Sequence, residues 1–344
     1  MILQLPLPQL LALLSDVIEC TADQSLTVNA IRSLESAQPL DLALIFERGD
    51  ASVFDAVALD AIKASNAGVV LSSFAIPGKA CIVVHDVLAA YHTLISYAAA
   101  KRITSVASIA STAVVHPTAV IEEGAWIGAR TTVGAHASIG KRCVLGDGVI
   151  IHPGARILDD CTVGDSSIIH ANAVIGSDGF GYQVTKTGMR KIAHIGNVRI
   201  GKHVEIGAGC TIDRAMFEST IIGDGVKMDN VVHVAHNVQI GASTAILAQT
   251  AIGGSVVIGM GCMIGGQVAL KDHVKIGNGV KIVSKSAVMY DVVDGQTVCG
   301  IPAIPFAQWK RITVCLQKLP ELIKQARDKS SGGWASRLKA WIKS

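Results

Sequence analysis

Aromatic residues make up only 4% of this 344-residue chain and charged residues only 17%, while half of it is hydrophobic. So few rings argue against a bulky aromatic core and suit a thin body packed with Ile and Val. The net charge of +3 at pH 7 is too small to mark a polyanion-binding surface, so nucleic acid is not an expected partner. The eight cysteines include no CxxC pair and no disulfide framework. We expect reduced thiols used for packing. No stretch approaches the ~18 uninterrupted apolar residues of a membrane span. The apolar opening MILQLPLPQLLALL is interrupted by Pro6 and Pro8 and led by no basic residue, which argues against a secretory signal. The composition points to a soluble, cytoplasmic protein.

What the chain has in abundance is a period of six. An aliphatic residue recurs every sixth position from Val115 to Ile175, again at Ile200, Ile206 and Ile212, and from Ile222 to Val288, with Met228 the only departure from Ile, Leu or Val. A fixed short period means that each unit buries its apolar face only against its neighbours. Gly often follows the aliphatic residue, as in Ile127-Gly128 and Ile206-Gly207, where it is expected to supply turn conformations. The fifth position is small or medium-sized, as at Ala125, Cys143 and Cys210. Three units close a triangular coil, and nearly nine coils spaced ~4.8 Å apart make a prism on the order of 40 Å long.

Residues 1–100 lack the period. Helix-like segments (Pro8 to Ile18, Val57 to Ala67, Val87 to Ala100) alternate with short apolar runs such as Cys81-Ile82-Val83-Val84, which predicts a small α/β domain ahead of the prism at 101–305. The hexads are broken twice, by Gly179 to Ile195 and by Arg214 to Thr220, and such breaks are common places for function. Residues 306–344 form a C-terminal extension. Gln308 to Asp328 reads as an amphipathic helix that Pro320 should kink or split. A Ser-Ser-Gly-Gly hinge and a basic amphipathic tail, WASRLKAWIKS, follow.

The stretch Asp229 to Gly241, DNVVHVAHNVQIG, carries the sharpest motif, Ala-His-Asn-Val at 235–238. With Ser-Asp-Gly-Phe-Gly-Tyr at 177–182, Arg199 to Arg214, Met263-Ile-Gly-Gly and Gly300-Ile-Pro, the chain resembles the UDP-3-O-acylglucosamine N-acyltransferases of lipid A synthesis. The resemblance is dense in the prism and thin before it. It implies a left-handed parallel β-helix of hexapeptide repeats, a uridine-nucleotide-binding domain over 1–100, and a homotrimer with sites between neighbouring prisms. It also implies the reaction. Acyl carrier protein would deliver a 3-hydroxyacyl thioester on its phosphopantetheine, and the 2-amino group of UDP-3-O-acyl-glucosamine would attack it, with no other cofactor and no metal.

By the same resemblance the general base falls on His236, the backbone oxyanion donor on Gly254 and an assisting histidine on His273. Asp178, Phe180, Tyr182 and Asn237 are candidate substrate contacts, and so is Phe46, which could equally be a core phenylalanine. The chemistry needs such groups: a base of near-neutral pKa for the amine, and donors preset for a tetrahedral oxyanion. The spacing agrees independently, since His236, Gly254 and Asp272 share the third position of units on successive coils, with His273 next to Asp272. Asp229, seven residues before His236, either orients that imidazole or caps a turn.

Other readings stay open. His233 and His236 could be two ligands of a metal held between subunits, although the Ala-His-Asn-Val context fits acyl transfer better. The family's aromatic uridine segment is not reproduced by LALIFERGDASVF, where Phe46 or Phe54 could substitute. Ser286 and Ala287 leave little bulk to close an acyl groove. Lys310, Arg311, Lys318, Lys324 and Arg327 suit an acidic carrier protein, and the tail suits peripheral contact with an anionic membrane. A different UDP-amino sugar, or a non-catalytic trimeric scaffold, are the rival functions.

Overall fold

The computed structural model describes residues 2–46, 56–101 and 105–329. Phe54 and the basic tail lie outside the described residues, as does the side chain of Arg327.

The period of six becomes a parallel β-solenoid. Two-residue strands stack into three flat faces of nine, eleven and nine strands. Within the uninterrupted coils each strand pairs with one eighteen residues away: Trp126 with Val144, and Val144 with Thr162. The prism also extends beyond the hexads read from sequence, opening at Ser108–Ile109 and gaining Thr297–Cys299 on its second face. First-position residues such as Ile127, Ile139, Ile206 and Val234 are fully buried, and so are fifth-position Ala125, Cys143, Cys161 and Cys210. One continuous core therefore runs from Ala125 to Val298. Ser286 occupies a fifth position and points into that core, its hydroxyl donating to Val283 O at 2.6 Å. Ser286 therefore cannot shape an outer acyl groove, which corrects the expectation for that residue; Ala287 beside it is partly exposed.

The glycine after each aliphatic residue also has a different cause from the one the sequence proposed. Gly128, Gly140 and Gly241 have no left-handed φ. A Cβ at these positions would lie 2.4 Å from Gly146 O, 2.6 Å from Asp159 N and 2.5 Å from Gly259 C, all backbone of the next coil. Close approach of coils, not turn conformation, demands glycine there. The left-handed residue is the fourth of each unit, and it is often not glycine: Arg130, His136, Asn237, Ser255 and His273 have φ between 56° and 62°.

Ahead of the prism stands a six-stranded mixed sheet. Its order is Ile2–Pro6, Thr27–Arg32, Asp41–Leu44, Val69–Ser72, Cys81–Val84, Val17–Cys20, parallel in the centre and antiparallel at both edges. Its last three central strands are buried throughout, as a sheet covered on both faces requires. Val17–Cys20, part of which the sequence places in a helix, is the edge strand; the first helix is only Leu7–Leu13. The helix Val87–Ala100 is capped by Asp86, whose Oδ1 accepts from Ala89 N at 3.1 Å.

Both breaks in the hexads leave from one corner of the prism, between its third and first faces, and both carry the N-terminal domain. The first forms a hairpin, Tyr182–Thr185 against Gly188–Lys191. Ile192, Ala193, Met216 and Phe217 join the N-terminal core. Polar ties reinforce the joint: Tyr91 Oη donates to Ala193 O at 2.9 Å, Arg190 pairs with Asp86, and Glu218 accepts from Ser33 N at 2.8 Å and from the Ser36 hydroxyl. At the far end, the helix Phe306–Lys329 runs through Pro320 without being split. No described helix is long and apolar enough to cross a membrane.

Candidate active site

The corner that bears the two loops also bears His236. The strand His233–Val234 lies between Thr211–Ile212 below and Ala251–Ile252 above. Asn237 then turns the chain with φ 62°, a conformation Asn tolerates better than most residues. Its N–H donates to Thr220 Oγ1 at 3.0 Å and its Oδ1 accepts from Met216 N at 2.9 Å. Asn237 thus fastens the second loop to the corner.

Two glycines hold the His236 ring between them. A Cβ on Gly179 would lie 2.7 Å from His236 Cβ, and one on Gly254 would lie 2.8 Å from its Cε1 and Nε2. Nδ1 stands 3.3 Å from Asn237 Oδ1, an acceptor, so the ring proton belongs on Nδ1 and Nε2 keeps its lone pair. Gly254 contributes a second feature. In several coils the third-position N–H is taken by an Asp or Asn one coil on, as Ala129 N is by Asp147 and Met260 N by Asn278. Asp272 holds that place above Gly254, yet among the described residues no acceptor meets the Gly254 N–H. A bare lone pair and an open N–H therefore stand beside each other.

His273 follows on the next coil, its N–H donating to Gly254 O at 2.9 Å. His273 borders a cleft of about 790 Å³ between prism and N-terminal domain, which Phe46, Met216, Phe217 and Ile192 also line. Phe46 is half-buried there, edge-on to Tyr91 at 5.3 Å and near-parallel to Phe217 at 6.5 Å. Phe180 is 80% exposed and rests against Tyr182 at 4.9 Å, and Lys191 pairs with Asp178 at 3.1 Å below them. Asp229 is not brought to the imidazole. It lies at the preceding corner, between the second and third faces, where its carboxylate accepts from Asn230 N at 2.7 Å and lines a separate cleft with His170 and Glu205. It caps a turn, and among the described residues no contact joins it to the His236 ring.

Sequence reasoning missed three residues here. Gly179 is needed for space. Asp213 is buried one coil beneath Ala235, the neighbour of His236, where its carboxylate accepts from Ser177 Oγ at 2.9 Å and stands 3.9 Å from His233 Nε2. Burial raises its pKa, opposed by the Ser177 hydrogen bond and by His233 and His236. The eighteen-residue register, corrected for the four extra residues of the second loop, could have found it. His194, the third, lies in an aperiodic loop, and no periodic signal reaches it. His233 bonds Thr211 Oγ1 through Nδ1 at 2.8 Å, and among the described residues no group of three potential metal ligands exists.

Comparison with known proteins adds an independent line. The bacterial transferase hexapeptide family (six repeats) matches residues 118–149 and 142–177, and the hexapeptide repeat of succinyl-transferase matches 197–235. A UDP-3-O-acylglucosamine N-acyltransferase of Rhizobium meliloti (strain 1021) is 50% identical over 167 residues, 48% of this chain and 42% of that protein. One of the same name from Methylobacterium nodulans is 36% identical over 183 residues, 53% of this chain and 47% of that protein. The matched part thus spans a little under half of these relatives' length. Among solved structures, UDP-N-acetylglucosamine acyltransferase from Campylobacter jejuni is 30% identical, with TM-score 0.50 over 56% of this chain and 73% of that one.

Proposed function

Since the chain belongs to the hexapeptide-repeat acyltransferases, we propose that it transfers a 3-hydroxyacyl group to the 2-amino group of UDP-3-O-acyl-glucosamine in lipid A synthesis. The observation that carries this reading is the His236 ring lodged against Gly254, lone pair beside open N–H. His236 Nε2 takes a proton from the amine as nitrogen attacks the thioester carbonyl. The oxyanion that forms accepts from Gly254 N–H, and His273, next along the corner, assists. Collapse breaks the C–S bond, and the proton held on His236 goes to the departing thiolate of a phosphopantetheine borne by acyl carrier protein.

The cleft lined by Phe46 takes the nucleotide end of the substrate, and Asp178, Phe180, Tyr182 and Asn237 border its sugar. The exposed apolar residues Trp126, Val144 and Ile150 on flat faces offer the surface on which three prisms associate. The basic residues of the C-terminal helix face the acidic carrier. These assignments call for no metal and place the protein in the cytoplasm, with peripheral membrane contact through its tail.

The test is transfer of radiolabelled 3-hydroxyacyl groups of several lengths from carrier protein to UDP-3-O-acyl-glucosamine, comparing wild type with His236→Ala. Product from wild type that falls by orders of magnitude in the variant supports the reading. Folded wild type that transfers from no donor refutes it.

A further inference from the structure

One buried side chain beside His236 has no task in this scheme. His194 is 5% exposed, and its Nε2 is buried without a hydrogen-bond partner. Its Nδ1 stands 3.2 Å from Ile192 O. A carbonyl only accepts, so the proton sits on Nδ1 and the orphaned Nε2 carries a bare lone pair. Orphaned buried acceptors are uncommon and call for an explanation in their surroundings.

Those surroundings are His236 and two glycines. The two imidazoles meet edge to face, centroids 5.3 Å apart and planes at 64°. Their contact is possible only because the first loop passes as Gly179-Phe180-Gly181. A Cβ on Gly179 would lie 2.8 Å from His236 Cδ2 and 2.9 Å from His194 Nε2, and one on Gly181 would lie 2.6 Å from His194 Cε1. Neither glycine is left-handed, so space alone explains them. His236 therefore has Gly254 against its Cε1–Nε2 edge, Gly179 against Cδ2, and the His194 ring as the wall behind.

We propose that His194 is a positioning residue for His236, a wall that keeps Nδ1 on Asn237 and Nε2 toward Gly254. This rests on the acyl-transfer reading of His236. Complete burial of its Nε2 keeps His194 from touching substrate, so it acts through the neighbouring ring. The wall also has to stay uncharged, because His236 becomes a cation each time it takes the substrate proton. Burial, and then His236 itself, hold the His194 pKa down at about 4; Asp178 opposes this and Lys191 adds to it. Arg214, Arg142, Asp159 and Asp160 border the small cleft on the other side of His194. At neutral pH the forming imidazolium meets a neutral ring, not a second positive charge.

The experiment uses the full chain labelled with ¹⁵N-histidine and compares wild type, His194→Gln and His194→Ala. Ring ¹⁵N shifts report the His236 tautomer, and steady-state N-acyl transfer from roughly pH 5 to 9 reports the rate. The expected result is one tautomer in wild type with the proton on Nδ1. His194→Ala should mix the tautomers and lower kcat by roughly tenfold or more, with KM for both substrates within about twofold. His194→Gln, neutral and of similar reach, should restore most of both. An unchanged tautomer and kcat in His194→Ala overturns the proposal, as does a raised KM at constant kcat. Equal damage in both variants with the tautomer intact also overturns it. If wild type transfers no acyl group, the functional reading fails, while the tautomer comparison still decides whether His194 holds His236.

Discussion

Gly253 and Gly254 are neighbours with opposite obligations, and alanine at each should separate fold from chemistry. A Cβ on Gly253 would sit 2.6 Å from Asp272 N and 2.9 Å from Leu270 O, backbone of the next coil that cannot yield without prising two coils apart. Overpacking of this kind costs about 1–3 kcal/mol. A Cβ on Gly254 would meet the His236 ring first, at 2.8 Å, and a side chain yields by a few tenths of an ångström more readily than backbone does. Gly254 has no left-handed φ, so alanine there brings no backbone strain. We expect Gly254→Ala to lie within about 1 kcal/mol of wild type in urea titrations followed by circular dichroism. Its ring displacement, several tenths of an ångström, should still cut N-acyl transfer by roughly tenfold, since misplacing a reacting group by 1 Å costs on the order of 10²-fold. Gly253→Ala should show the reverse, a shifted urea midpoint with near-normal turnover by the folded fraction. A Gly254→Ala variant that transfers acyl groups within twofold of wild type would refute the placement of the base. A Gly253→Ala variant of wild-type stability would refute the close-approach account of second-position glycines.

Three further outcomes follow from contacts elsewhere. His194 is held near pKa 4 in the fold against ~6.5 unfolded, so the unfolded chain binds more protons between those values and stability is lost as pH falls through them. The difference amounts to about 3 kcal/mol, and pH-dependent urea titrations of His194→Gln should lack that slope. Glu218→Ala removes the acceptor for Ser33 N and the Ser36 hydroxyl, so limited proteolysis should cut between the N-terminal domain and the prism faster than in wild type. Arg214 donates to Gly176 O, Gly196 O and Asp159 O, at 2.6, 3.3 and 3.1 Å, where the first loop leaves and rejoins the prism. Arg214→Met should cost about 2–3 kcal/mol of stability, read by thermal or urea melts, because buried carbonyls lose a charged donor.

The prism was legible because its interior accepts one residue type at one position. Aliphatic side chains at every sixth residue can only stack inward, and the eighteen-residue register then sets His236, Gly254 and Asp272 along one corner without any coordinates. The left-handed turn position was hidden, because Arg130, His136, Gln249 and Lys285 fill it as readily as glycine does. In the N-terminal domain, the first half of Val17–Cys20 was read into a helix because a short edge strand has no periodicity of its own and takes its conformation from Cys81–Val84. The contacts of His194 were illegible for a related reason. It sits in a loop whose path is set by docking on the N-terminal core, and only folding shows that it ends against His236.

A solenoid that returns to the same corner every eighteen residues imposes a reading frame on its own gene beyond the codon frame. Both natural insertions obey it: Ile175 still pairs with Ile212, and Ile212 with Val234, because each loop leaves and re-enters at one corner. An indel of one to five residues within the coils should throw every later aliphatic residue out of the interior. An indel of six would keep the packing yet carry His236 round to the next face, away from the loops that shelter it. Only whole coils, or loops grown at a corner, are free to vary, so the strip that bears His236, Gly254 and His273 is fixed by length as firmly as by identity.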